Sequence, residues 1–179
     1  MKELFAETDR LLLRDYRPAD LPLYIALSTD PEVMRYLGGP YSPQYCAADL
    51  AGISRRYAET GSGMLAVERK ADGVFLGICG LSVEQWYPDD VQIGWRFFQE
   101  HWGHGYATEA AKVWRDAAFA LGAERLISIS DVPNVRSHRV MQRLGMSLDH
   151  TATLVDRDES FDAQIYVLTR KNWLTLGKL

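Results

Sequence analysis

Gln99-Glu100-His101-Trp102-Gly103-His104-Gly105-Tyr106-Ala107-Thr108-Glu109-Ala110-Ala111 is the stretch around which the rest of the chain is organised. An apolar, strand-like run (Ile93, Trp95, Phe97, Phe98) leads into it. Behind it Ala107, Ala110, Ala111, Trp114, Ala118 and Leu121 recur at three- and four-residue steps, the period of a helix packed on one side. A strand, a turn with two glycines and a helix start make an anion site. The first helical N–H groups have no intrahelical partner, the helix dipole is positive there, and glycine lets a ligand approach the backbone. The stretch therefore predicts a phosphate-bearing ligand.

The whole chain narrows the choice. Its 179 residues predict one domain, 1–179, large enough to bury a core. A net charge of −4 gives no general attraction to nucleic acid. The early apolar run Leu11-Leu12-Leu13, fenced by Arg10 and Arg14, is too short for a signal-peptide core or a membrane span, so no membrane partner is expected. Cys46 and Cys79 lie far apart, with no Cys-x-x-Cys spacing, which predicts neither a disulfide framework nor a zinc site. No spacing of His101, His138 or His150 suggests a metal or a triad, and the expected compartment is the cytoplasm.

The order of elements follows from periodicity and punctuation. Residues 10–17 read as a first strand, and Pro18 with Asp20 as the start of a short helix through Leu21, Tyr24, Ile25 and Ser28. Asp30-Pro31-Glu32 restarts a helical turn that Gly38-Gly39-Pro40 breaks. A helix from about Pro43 to Ala58 follows, then a hairpin of Met64–Arg69 with Val74–Val83 across Ala71-Asp72-Gly73. Trp86 to Asp90 reads as an aromatic-rich turn ahead of a strand Val91–Phe98. After the glycine turn and its helix come a strand Glu124–Val132, a basic helix Asn134–Leu144 closed by Gly145, and two last strands joined by Asp156–Ser160. The sum is an α+β domain.

Two familiar glycine signatures fail on residues. The dinucleotide fingerprint needs Gly or Ala where Thr108 stands, and the P-loop string Gly-x-x-x-x-Gly-Lys-Ser/Thr is absent. Trp102-Gly103-His104-Gly105-Tyr106-Ala107 instead resembles the pyrophosphate motif of the GNAT acetyltransferase superfamily, Gln/Arg-x-x-Gly-x-Gly/Ala. Asn134-x-x-Ser137 followed by Leu144-Gly145-Met146 resembles the superfamily's second cofactor motif. Val91 to Trp95 is similar to its central strand, and Tyr166-Val167-Leu168 to Trp173 to its close. The similarity spans nearly the whole chain and is greatest to the RimJ/RimL branch, which acetylates N-terminal amines of ribosomal proteins. Trp102 replaces the usual Gln or Arg, and Gln92 stands where the branch often has Glu.

The resemblance implies a GNAT-like mixed, mostly antiparallel sheet splayed at its centre, with helices on both faces. It implies acetyl-CoA as acyl donor, with its pyrophosphate on the backbone of Gly103, His104, Gly105, Tyr106 and Ala107 beside Trp102. It places the pantetheine arm along the backbone of Arg96, Phe97 and Phe98, as a strand is added to a sheet edge. A backbone N–H of the central strand would polarise the thioester carbonyl. Asn134 is an excellent N-cap and Ser137 sits at the third helical position, so a cap alone explains both. In the family that Asn also contacts the cofactor, and the Ser lies near its sulfur as a candidate acid for the leaving thiolate. A thiol of pKa near 8.5 leaves without a strong acid. His104 reads either as a phosphate contact or as an exposed turn residue.

For the acceptor, chemistry gives one guide. The nucleophile must be a neutral amine, and an α-amine (pKa about 7.7–8.0) loses its proton far more readily at pH 7 than a lysine (about 10.4). Gln92, the residue at the place of the family's base, cannot take a proton, which favours an α-amine or an amine of low pKa. Glu84 and Asp162 are spare carboxylates able to relay a proton through water, or plain surface residues. The expected activity is N-acetylation of a protein N-terminus or small amine by direct attack, by a monomer or homodimer. The alternative is an acyl-CoA sensor without turnover.

Overall fold

The computed structural model describes residues 4–156 and 158–177. In chain order these form β1 (Leu4–Glu7), β2 (Leu11–Arg14), α1 (Leu21–Thr29), α2 (Pro43–Thr60), β3 (Met64–Arg69), β4 (Val74–Glu84), β5 (Tyr87–Phe97), α3 (Tyr106–Ala120), β6 (Arg125–Asp131), α4 (Val135–Arg143), β7 (Ser147–Asp156), β8 (Glu159–Thr169) and α5 (Arg170–Trp173). The strand order is β1-β2-β3-β4-β5-β6-β8-β7, a mixed, mostly antiparallel eight-stranded sheet with β5 and β6 parallel. The chain divides into two compact units, one running to Gly80 with Gly94–Ala111 added, the other Leu81–Ile93 with the residues from Lys112 on.

In the first unit, β3 pairs antiparallel with β2 and β4, as the alternation after Gly63 predicts. α1 and α2 close a core of Tyr24, Leu27, Val33, Cys46, Leu50, Ala66, Phe75 and Ile78. Ser42 caps α2 by accepting the Tyr45 N–H, Pro43 opens it, and Gly61 ends it in the left-handed conformation (φ 69°). Each large side chain buried here contributes roughly 1.5–3 kcal/mol. A salt-bridge network sits beside this core: Arg14 (3% exposed) pairs with Asp20 at 2.7 Å and with Glu68 at 2.7 Å. Burial opposes the Arg14 charge, but the hydrogen bonds to the two carboxylates outweigh it and raise its pKa.

β1 has no counterpart in the sequence reading, which began the first strand at residue 10. It is four residues long, and its turn is closed by the Thr8 N–H on the Leu11 carbonyl (2.9 Å). Pairing with β2 supplies what so short a segment cannot signal through periodicity.

In the second unit, β6 and β7 pair antiparallel with β8 around Ile127, Leu154, Ala163 and Ile165. Trp86, Tyr87 and Phe161 pack against this cluster. β5 starts at Tyr87, four residues ahead of the expected Val91, although Pro88-Asp89-Asp90 reads as a turn. Tertiary contacts override the local signal: the Tyr87 hydroxyl meets His150 Nε2 at 2.8 Å, and Asp90 pairs with Arg125 at 3.4 Å. α5 was also unforeseen. Thr169 caps it, and Trp173 stacks on Phe119 (5.0 Å, 19°) while donating to Asp116 (2.7 Å).

Candidate active site

The glycine turn sits where the sequence places it. Gly103 (φ 80°) and Gly105 (φ 81°) are both left-handed, and α3 begins at Tyr106. The Gly105 carbonyl accepts the Glu109 N–H (3.0 Å), so the N–H groups of Tyr106, Ala107 and Thr108 are the unpartnered ones of a helix start. A Cβ at Gly103 would meet nothing within 4 Å, so the turn is open on that side. Thr108 Oγ1, in the same first turn, is buried with no protein hydrogen-bond partner.

One feature should repel an anion: Glu109 stands in the first turn of α3. Its charge is taken up elsewhere. Glu109 accepts from the Thr8 hydroxyl (2.6 Å), the Arg10 N–H (3.2 Å) and Arg10 Nε (2.7 Å). These bonds outweigh burial and hold its carboxyl below the usual range. Arg10 also donates to the His104 carbonyl (3.0 Å) and lies 4.7 Å from the centre of the Tyr106 ring, on which His104 stacks (5.6 Å). A single arginine thus neutralises the helix start and grips the turn. Nothing in the sequence pattern links residues 8–10 to residue 109.

Upstream, Trp102, expected beside the cofactor, donates its indole N–H to the Phe97 carbonyl (2.8 Å) and packs on the first unit's core. The Phe98 N–H bonds Leu76 O (3.1 Å). Arg96 donates to the Ser28 hydroxyl (2.6 Å) and lies 5.8 and 5.6 Å from the ring centres of Tyr24 and Tyr41. These side chains fix the end of β5. Arg96, Phe97, Phe98 and Trp102 to Ala107 thus fall in the first unit, while Gln92, Asn134 and Ser137 fall in the second.

In the second unit Asn134 is the N-cap of α4, its side chain accepting the Ser137 N–H (3.3 Å). The cap uses the Ser137 backbone and not its hydroxyl. His138 is buried, stacked on Tyr166 (5.5 Å, 22°), with Nε2 lacking a partner. Burial lowers its pKa, opposed by a hydrogen bond with the Asp131 backbone. On β5, Gln92 Nε2 donates to Glu84 Oε1 (3.1 Å), which also accepts from Ser82 Oγ (2.7 Å). Glu84 is therefore part of a network and not a plain surface residue. Beyond the register pairs Val91↔Leu126 and Gln92↔Ile127, the Ile93 carbonyl accepts the Ser128 hydroxyl (2.9 Å).

An open glycine turn, three free N–H groups and a neutralised acidic residue fit the pyrophosphate of a CoA thioester. Among the described residues no cluster of metal-ligand type occurs, and no helix is long and apolar enough to cross a membrane. Residues 10–147 match the family described as Acetyltransferase (GNAT) domain. The uncharacterised protein YkkB of Bacillus subtilis (strain 168) is 33% identical over 147 residues, 80% of this chain and 86% of that protein. At the level of the fold, RimL, a ribosomal L7/L12 α-N-protein acetyltransferase in complex with coenzyme A, is similar with a TM-score of 0.78 (16% identity; 93% of this chain, 98% of that one). Spermidine N-acetyltransferase of Vibrio cholerae, in complex with CoA and spermine, gives 0.76 (16%; 93% and 99%). The chain belongs to the GNAT acetyltransferase family, as an N-acetyltransferase whose acyl donor is acetyl-CoA.

Proposed function

We propose that residues 1–179 act as one acetyltransferase domain that moves an acetyl group to a primary amine, either a protein N-terminal α-amine or a small amine, by direct attack. The observation that carries this is the glycine turn at the start of α3, with Glu109 neutralised by Arg10. Gly103 to Ala107 would hold the pyrophosphate and the β5 backbone at Arg96–Phe98 the pantetheine arm. Asn134 would contact the cofactor, and the Ser137 hydroxyl would give a proton to the departing thiolate. Both cysteines are free and buried, and burial pushes each thiol up, so neither is poised to carry an acyl group. Direct attack needs no such carrier. Unpaired cysteines also suit a reducing compartment, the cytoplasm.

The likeness to RimL supports the RimJ/RimL branch and an α-amine acceptor, which gives up its proton some 2.5 pK units more readily than lysine. The near-equal likeness to a polyamine acetyltransferase keeps small amines in the proposal. The test is a panel of amines, amino acids and N-terminal peptides, read by CoA release. A thermal shift with acetyl-CoA and CoA release with one acceptor class are expected. The absence of any shift at millimolar acetyl-CoA would sink the reading, and binding without release would leave a sensor in its place.

A further inference from the structure

Gln92 carries an unusual asymmetry. Its Nε2 is spent on Glu84 Oε1, while its Oε1 is buried and has no hydrogen-bond partner. An unpaired buried amide oxygen destabilises a fold, and such groups persist where function holds them. Flipping the amide does not help, because Oε1 would then face an ionised carboxylate. The glutamate is similarly one-sided: Ser82 and Gln92 both donate to Oε1. Two donors on one oxygen fix the carboxylate's direction and leave Oε2 outside these bonds.

Register shows which face this is. Gln92 is paired with Ile127, so the two share a face. Ser128 and its partner Tyr166 lie on the opposite one, where His138 of α4 stacks. The Gln92 face is therefore the side that α4 does not cover, and Trp86 and Phe161 (edge to face, 5.8 Å) pack against the cluster containing Ile127. A half-exposed carboxylate held by two donors beside an aromatic wall is suited to receive an ammonium group.

We infer that Glu84 is the base that deprotonates the acceptor, with Ser82 and Gln92 as its positioning residues, an assignment that rests on the acetyl-transfer reading above. The acceptor enters as R–NH3⁺ and gives one proton to Glu84. Its freed lone pair forms the C–N bond as the thioester C–S bond breaks. A second nitrogen proton ends on the CoA sulfur, and Glu84 returns its proton to water, so the products are the amide, CoA thiol and H⁺. The base that position 92 lacks is thus supplied by the neighbouring strand.

The test uses the full chain and an amine accepted in the panel. Glu84→Gln should lower kcat/KM about 100-fold at pH 7, the lower end of what a positioned base contributes. It should keep the acetyl-CoA thermal shift and the Tm of the parent. The defect should shrink as pH rises toward the pKa of the acceptor, since hydroxide then does the base's work. The double exchange Glu84→Gln with Gln92→Glu keeps both groups and their hydrogen bond, and should restore at least tenfold of the lost rate. Gln92→Met should lower kcat while leaving the Tm equal or higher. A Glu84→Gln rate within twofold of the parent would overturn the assignment. So would a defect that is independent of pH and accompanied by a lower Tm. Failure of the unmutated protein to release CoA with any amine would instead overturn the acetyl-transfer reading, and this assignment with it.

Discussion

Arg10 and Glu109, ninety-nine residues apart in sequence, meet through Nε at 2.7 Å and Nη2 at 2.5 Å, beside the glycine turn at the start of α3. Without the arginine side chain, the carboxylate would keep the Thr8 hydroxyl and the residue-10 N–H but lose its counter-charge, and its field in the first turn of α3 would oppose that of the helix dipole. Arg10→Ala should therefore weaken acetyl-CoA about tenfold, or ~1.4 kcal/mol, by isothermal titration calorimetry. Adding Glu109→Gln should recover most of that loss, because the repulsion leaves with the charge. Two single losses that simply add would show the pair to be irrelevant to binding.

Gly105→Val should remove the acetyl-CoA thermal shift. The turn needs φ of 81° at this position, a backbone conformation that residues with a side chain rarely adopt. A β-branched residue there costs about 1–3 kcal/mol and displaces the N–H groups at the start of α3. Circular dichroism should still report a folded chain, and a normal thermal shift would count against the turn as the binding element.

His138 predicts the acid side of the stability profile. Its folded pKa is lowered by burial, so below the ordinary value near 6.5 the unfolded chain binds the extra proton more readily. The stability present above that pH falls as pH drops toward the folded value. His138→Phe keeps a ring on Tyr166 and deletes the titration, so its Tm should fall less between pH 7 and pH 5 than the parent's. Parallel Tm profiles would show that the imidazole is not the sensitive group.

Arg14→Met should cost about 3–5 kcal/mol, because Asp20 and Glu68 would be left buried without their shared cation. Urea unfolding should show the loss as a lower midpoint, with the acetyl-CoA affinity of the remaining folded protein unchanged. A midpoint shift below about 1 kcal/mol would mean that Arg17, 3.0 Å from Glu68, substitutes for the missing charge.

Much of this was legible before any coordinates. The start of α2 at Pro43, the hairpin at Asp72-Gly73, the glycine turn and the Asn134 cap are local devices written in consecutive residues, and each stands where spacing puts it. What the sequence hid is of another kind. The early start of β5 depends on His150 and Arg125 holding Tyr87 and Asp90, against a Pro-Asp-Asp string that signals a turn. Glu84 looks like a spare surface acid until β4 and β5 set it against Gln92. Trp102 stands in a cofactor motif yet spends its indole on Phe97. In each case the deciding partner comes from another element, and no periodicity carries that information.

The clasp on the glycine turn also has a bearing on the order of assembly. Thr8 and Arg10 precede Glu109 by 101 and 99 residues, so both exist long before α3 does during synthesis. A domain made from its N-terminal end can have the β1–β2 hairpin waiting when the glycines emerge. The glycine turn then needs no later segment to reach its working shape, whereas Asn134 and Ser137 come with α4, which is made after α3. The glycine turn should therefore take its shape earlier in the life of each molecule than the part of the site that α4 brings.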